Sequence, residues 1–315
     1  MKEKLDFRGA KVLVTGGAGF VGANFIRHIS KLRAEVTVLD NLFTGQKKYI
    51  ENLGNVDFVK GCTTNKKLVE SLVMKNDFIV HLAARNIIAS TKSPMLDLES
   101  NVIGTMNLLV SAKKYKVKKF IYSSSASVYG EQRVLPIIEQ SRLKTYSPYA
   151  VSKLAAENYC TVFWRLYKVP TISLRLSNVY GPFQNPDNPY SGVIHKFIKL
   201  IDTNNAVKIH GDGLQTRDFT FVDDVSRAIK KACFVDGNEG MIFNVGTGVE
   251  SSIQDIVKNL EKIYNKKIKI KYAENRDIDN VRRRLMNIES IRINLNWIPK
   301  TIFRDGLIKT INWHT

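Results

Sequence analysis

The sequence predicts an α/β fold: a doubly wound parallel sheet with a smaller C-terminal α/β lobe. Three observations carry this expectation. Short β-rich apolar runs alternate with helical stretches up to about residue 177, the rhythm of parallel strands joined by crossover helices. Four glycines crowd the turn after the first run, in TGGAGFVGANF. Beyond Asn178 the alternation gives way to shorter mixed elements, without an internal repeat or a low-complexity tail. With 315 residues and 44% hydrophobic composition, the chain can bury a full core shared by two such units.

In chain order, KVLVT (Lys11–Thr15) reads as a buried strand and GANFIRHISKL as the helix after the glycines. EVTVLD is a second strand ending at Asp40, and VDFVKG, DFIVHLAA and KKFIYSSS follow as further strands. Helical spacing is continuous over residues 96–116 and again over 148–167, which precedes a strand at 169–176. VYGPFQNPDNPYSG concentrates Pro, Gly and Asn and reads as a long loop of the kind that carries function. Further helices are expected at 193–201, 222–232, 253–264 and 303–311. The division follows the change of rhythm: residues 1–177 as a cofactor domain, and 178–315 mainly as a substrate lobe with segments returning to the first.

The net charge of +19 comes from 48 basic and 29 acidic residues. The basic residues are dispersed in short runs without aromatic interleaving, so a solvated lysine-rich surface is expected rather than a nucleic-acid interface. Cys62, Cys160 and Cys233 have neither metal-ligand nor framework spacing and read as reduced thiols of a cytosolic protein. The polar start MKEKLDFRGAK does not read as a signal peptide, and no apolar run is long enough to span a bilayer. A cytoplasmic protein without a membrane partner is expected.

The glycines fall as Gly16-x-x-Gly19-x-x-Gly22 between a strand and a helix. That spacing lets a backbone turn sharply and brings a pyrophosphate onto the amides of a helix N-terminus. A glycine turn could also serve only close helix–strand packing; Asp40 argues for more. It ends the second strand about 24 residues after Gly16, where a carboxylate accepts hydrogen bonds from an adenosine ribose. The same charge repels a 2′-phosphate, so NAD is expected over NADP, on a Rossmann-type domain.

SPYAVSK places Tyr149 and Lys153 one helical turn apart, with Ser147 suited to the N-cap and Pro148 to the first helical position. A neighbouring ammonium favours the phenolate of a tyrosine whose free pKa is about 10, which would make Tyr149 a general acid and base near neutral pH. The serine run at the end of KKFIYSSS could hydrogen-bond the same reacting oxygen. Alone, this spacing also arises by chance on amphipathic helices.

With TGGAGFVG, VLDNL, HLAA, NVIGTMNLL, YSSSASVYG, YAVSK, LRLSNVYGP, GDGLQTRDFTFVDD, FNVGTG and NWIPK on the page, the chain resembles the extended short-chain dehydrogenase/reductase family. Within that family it is similar to nucleotide-sugar epimerases of the UDP-galactose (UDP-glucose) 4-epimerase type. The resemblance implies a catalytic triad of Ser125, Tyr149 and Lys153. It implies an NAD site at Gly16, Gly19, Phe20, Gly22, Asp40 and Asn41, completed by Tyr149 and Lys153, with Ala83 and Asn101 beside the cofactor. It places Asn178 and Arg217 at the diphosphate of a nucleotide sugar, with Arg282 or Arg284 as a second arginine of that clamp. It also implies a homodimer packed through the helices of residues 96–116 and 148–167.

Two departures qualify the picture. Cys62 stands where the family usually has an aspartate for the adenine amino group, and a thiol is a poor acceptor. Relatives that dehydrate or decarboxylate sugars keep an acid just ahead of VYG, where this chain has Ser125, Ala126 and Ser127. The resemblance therefore favours a 4-epimerase acting on a neutral UDP-hexose or its N-acetyl form. The alternatives are another epimerase or dehydratase of the family, or a non-catalytic NAD-bound scaffold.

Overall fold

The computed structural model describes residues 7–185, 188, 191–275, 278 and 280–314. Six successive parallel strands build most of the main sheet: β1 (Lys11–Thr15), β2 (Glu35–Asp40), β3 (Val56–Lys60), β4 (Phe78–His81), β5 (Lys119–Ser125) and β6 (Thr171–Leu176). Their spatial order is β3-β2-β1-β4-β5-β6, the doubly wound arrangement in which the direction of build reverses between β1 and β4. The connecting helices are α1 (Phe20–Ser30), α2 (Lys66–Val73), α3 (Ile87–Lys92), α4 (Pro94–Asp97), α5 (Gly104–Tyr115) and α6 (Pro148–Tyr167). Every residue of β4 and all but the first of β1 are buried, as a parallel sheet covered on both faces requires.

The rest of the chain runs β7 (Asn178–Tyr180), α7 (Val193–Asp202), β8 (Val207–His210), β9 (Thr216–Phe221), α8 (Val222–Phe234), β10 (Ile242–Val245), β11 (Glu250–Ser252), α9 (Ile253–Tyr264), β12 (Ile270–Ala273), β13 (Arg283–Arg284), α10 (Glu289–Leu295) and α11 (Phe303–His314). Strand β10 returns to the main sheet and pairs with β6 as its seventh strand. Phe25 and Ile26 of α1 share a core with Val225 and Ile229 of α8. The opposite face is closed by Val69 of α2, Leu108 of α5 and Cys160 of α6. A separate core joins Phe197 of α7, Phe219 and Phe221 of β9, Leu260 of α9 and Leu307 of α11.

Three expectations need correction. The helix read over 96–116 runs unbroken to Tyr115 but is not α-helical throughout: α4 passes through a π-helical turn at Leu98–Ile103 before α5. The strand read from 169 starts at Thr171; Lys168 takes a left-handed cap with φ 56°, and Pro170 has no N–H to give a ladder. The loop read from Val179 opens instead as β7, which pairs with β9; its Pro186, Asp187, Pro189 and Tyr190 lie outside the described residues. Among the described residues no helix is long and apolar enough to cross a membrane.

Candidate active site

Gly16, Asp40, Asn41, Ala83, Ser125 and Asn178 lie at or just beyond the C-terminal ends of β1, β2, β4, β5 and β6, where ligands of open α/β sheets sit at the reversal point. Gly16 follows β1 with φ +69°, and a Cβ there would sit 2.6 Å from the amide nitrogen of Ala83. A Cβ on Gly22 would lie 2.6 Å from the Cα of Gly17 and run into the carbonyl oxygen of Gly16. These two glycines are thus required by backbone-on-backbone packing. Gly19 has a different task. It caps α1 without any side-chain cap, so the amides of the first turn stand open to a cavity of about 360 Å³ that Gly16, Gly19, Phe20 and Gly22 line.

Asp40, Asn41, Cys62 and Ala83 complete other walls of this cavity. The Asp40 carboxylate accepts hydrogen bonds from the amides of Ala18 (3.0 Å) and Leu42 (2.8 Å). Burial pushes its pKa up, and those amides oppose the shift. The carboxylate has lone pairs beyond these bonds to offer a ribose hydroxyl. A glycine floor closed to side chains, open helix amides and an acid at the end of β2 fit a dinucleotide. On this fit the glycine loop would hold the diphosphate and Asp40 the adenosine ribose, with Cys62 on the wall expected at the adenine.

Tyr149 lines the same cavity. Helix α6 starts where the sequence indicates: the Ser147 hydroxyl accepts the Ala150 amide at 3.2 Å, and Pro148 takes the first position. One turn on, Lys153 is only 2% exposed, with its Nζ 4.6 Å from the centre of the Tyr122 ring. Burial lowers its pKa to about 8; the carboxylates of Asp97 and Glu157 oppose the fall. Ser125 closes β5, nearly buried, and its hydroxyl accepts the Ser127 amide at 3.1 Å.

A second cavity, of about 260 Å³, opens between β7, β8, β9 and α7. Asn178 and Arg217 line it, together with Lys196 and Lys208, and none of its described lining residues is a carboxylate. Residues 85 and 86 wall the first cavity while 87 and 88 wall the second, so the two adjoin across a short stretch of chain. Guanidinium and ammonium groups without acids suit a diphosphate. Lys196 and Lys208 escaped the sequence reading because a lysine on an amphipathic helix or a short strand carries no signal of its own.

Two expected residues are placed differently. Arg282 is not in the cavity wall: its guanidinium pairs with Asp212 at 2.8 Å on the surface, and Arg283 likewise pairs with Glu250. Arg284 is buried and stands beside Arg217 in the β13–β9 register. Asn101 does not line the first cavity either. It is 1% exposed, its Nδ2 donates to Asp97 (2.6 Å) and Ser152 (3.0 Å), and its Oδ1 accepts the Arg85 amide (2.8 Å). It is a strut between the cavity wall and α6.

A profile of the NAD dependent epimerase/dehydratase family matches residues 12–246. The chain is 35% identical over 305 residues to a putative UDP-glucose 4-epimerase of Methanocaldococcus jannaschii, covering 96% of this chain and 97% of that one. It is 34% identical to the human dTDP-D-glucose 4,6-dehydratase, covering 96% of this chain and 89% of the relative. The fold superimposes with a TM-score of 0.92 on the UDP-glucose 4-epimerase of Thermotoga maritima solved with UDP-glucose, at 32% identity and covering 96% and 98% of the two chains. With its glycine cradle, its ribose-side acid and its tyrosine–lysine helix, the chain belongs to the NAD-dependent epimerase/dehydratase family of extended short-chain dehydrogenases/reductases.

Proposed function

We propose that the protein is a nucleotide-sugar 4-epimerase that uses NAD without net consumption, acting on a UDP-hexose or its N-acetyl form. The observation that carries this choice within the family is the turn after β5. Ser125 is followed by Ala126 and Ser127 in a short 3₁₀ turn, with no carboxylic acid to protonate a leaving hydroxyl of the sugar. Loss of water needs such an acid; inversion at one carbon does not.

NAD, when bound, supplies a hydride acceptor that also returns the hydride. The chain's own residues do the rest. Tyr149 takes the proton of the sugar C4 hydroxyl and gives it back, the Lys153 ammonium favours the phenolate, and the Ser125 hydroxyl holds the reacting oxygen. Asn178 and Arg217 retain the diphosphate while the 4-keto sugar turns over between the two transfers. Asp40 selects NAD over NADP. We read residues 1–177 as the cofactor domain and 178–315 mainly as the substrate lobe.

The assembly we infer is a homodimer. Met95, Ile103 and Val110 before and along α5, and Tyr159, Val162 and Leu166 on α6, are large apolar side chains exposed to solvent. Exposed large apolar side chains gathered on two helices fit an association face.

The test is incubation with UDP-, GDP-, CDP- and dTDP-hexoses without added NAD, with products read by NMR. Inversion at C4 is the expected outcome. A 4-keto-6-deoxy product would instead assign a dehydratase, and no turnover of any sugar would leave an NAD-binding scaffold.

A further inference from the structure

Apart from Tyr149, the titratable groups packed around Lys153 among the described residues carry no charge, with two exceptions. From β4, His81 is wholly buried and held neutral, its pKa lowered to about 3 by burial. From β5, the Tyr122 phenol is pushed well up by burial. On α6, the Cys160 thiol is pushed up for the same reason. The two exceptions are Glu157 on α6 and Asp97 at the end of α4.

Glu157 is already matched. Arg175 of β6 grips it with two bonds, Nη2–Oε1 at 2.6 Å and Nε–Oε2 at 2.9 Å, and both side chains are buried. Asp97 is 2% exposed, yet among the described residues no ammonium or guanidinium stands within ion-pair distance of it. Its Oδ1 accepts only the Asn101 amide at 2.6 Å and the Ser90 hydroxyl. A buried carboxylate without a cation is costly, and such groups persist where a site uses their charge.

Its reach towards the helix runs through Asn101. The Asn101 Nδ2 that holds Asp97 also donates to the Ser152 hydroxyl at 3.0 Å, and that hydroxyl donates to the Tyr149 carbonyl at 3.1 Å. The π-helical turn at Leu98–Ile103 contains Asn101 and follows Asp97 at once.

We propose that Asp97 is a positioning residue for the tyrosine–lysine pair: its charge keeps Lys153 protonated, and its bond to Asn101 fixes the Ser152 turn. The inference rests on reading Tyr149 and Lys153 as the acid–base pair, but its main test needs no substrate. Asp97 is the foremost charge opposing the fall in the Lys153 pKa, so removing it lets the ammonium lose its proton at lower pH.

The experiment follows lysine ¹³Cε resonances against pH, with Lys153→Met to assign the lysine that titrates far below the rest. Asp97→Asn and Asp97→Ser are made in parallel, so that a packing failure in one leaves the other, and Asp97→Glu retains the charge. In the Asn and Ser variants the Lys153 titration should move down by about one pH unit, a tenfold change in its acid dissociation constant. In Asp97→Glu it should stay near the parental position. Where turnover is measurable, the alkaline limb of kcat/KM should shift down with it. An unmoved Lys153 titration in the folded Asn or Ser variant overturns the proposal, whatever happens to turnover. Absence of epimerase activity alongside a shifted titration would sink the proposed reaction and leave the role of Asp97 standing.

Discussion

Replacing Gly22 or Gly19 with alanine separates what the glycine loop does for the fold from what it does for the cofactor. At Gly22 the new methyl would lie 2.6 Å from the Gly17 Cα, where ordinary contact begins at 3.4 Å. The loop and α1 must therefore part by at least about 0.8 Å, since the Gly16 carbonyl oxygen stands closer still, and neither partner is a side chain that can swing aside. Overpacking costs about 1–3 kcal/mol, and backbone neighbours put this case near the upper end. Alanine returns about 1 kcal/mol of helix propensity, so the net loss is about 2 kcal/mol. For a chain of 315 residues, whose unfolding entropy is about 0.66 kcal/mol/K, that is a fall in Tm of roughly 3 °C. At Gly19 the methyl would meet only the Gly16 carbonyl oxygen, at 3.1 Å, and a few tenths of an ångström relieve it. That methyl, however, caps the open end of α1 on the cavity wall, where a diphosphate would lie. Gly19→Ala should melt within about 1 °C of the parent and bind NAD at least tenfold more weakly, about 1.4 kcal/mol. Thermal unfolding of the cofactor-free proteins and calorimetric NAD titration measure both. The reasoning fails if Gly22→Ala is as stable as the parent, because propensity alone would then have decided, or if Gly19→Ala binds NAD with parental affinity.

Other outcomes follow from the same geometry. Tyr149→Phe keeps the ring and loses the acid–base oxygen, so turnover should drop about 10²- to 10⁴-fold with NAD binding intact; Ser125→Ala should cost less, and the reverse order in steady-state assays would remove Tyr149 from its role. Asp40→Ser should narrow the ratio of NAD to NADP affinity, and a parent protein that binds both equally would contradict the placing of Asp40 at the ribose. His81 ordinarily titrates at 6.5 and is held at about 3 in the fold, so the unfolded chain binds the extra proton between those values. Its contribution is fully present above about pH 6.5 and is lost as pH falls towards 3, by up to about 1.4 kcal/mol per pH unit; urea unfolding of His81→Asn should show a shallower acid slope than the parent. Val162→Glu with Leu166→Glu should give monomers by light scattering, and a parent that is itself monomeric at micromolar concentration would refute the homodimer.

Much of this was legible in the sequence because it is local. The strand ending at Asp40 and the helix from Pro148 to Tyr167 appear at the residues expected, since an apolar run, an N-cap serine and a first-turn proline each act over a few positions. The glycine spacing was legible for the same reason, although which glycine serves packing and which leaves amides open needed neighbours from β1 and from Ala83. What could not be read was the partner of a polar side chain far along the chain. Arg282, Arg283 and Arg284 are equivalent as text, yet Asp212 and Glu250 draw two of them to the surface and the pairing of β13 with β9 buries the third. Periodicity also hid the π-helical turn, because one widened turn leaves the apolar spacing on either side nearly unchanged.

That turn joins the glycine loop to the helix of Tyr149 and Lys153. The Thr105 hydroxyl donates to the Asn101 carbonyl at 2.6 Å, so it can only accept from His81, whose Nε2 lies 2.9 Å away. His81 therefore carries its proton on Nε2, and Nδ1 accepts the Thr15 hydroxyl at 2.6 Å. Thr15 is the last residue of β1, immediately before Gly16. From Asn101 the path continues through Ser152 to the Tyr149 carbonyl. The directions at Thr105, His81 and Thr15 close only with a neutral imidazole, the form that burial of His81 enforces. A proton added to His81 would put a second donor against the Thr15 hydroxyl, which must then turn away. Acid would thus act at the Thr15 end of the line, on the strand that launches the glycine loop, and leave the Nε2 bond to Thr105 and the turn in place.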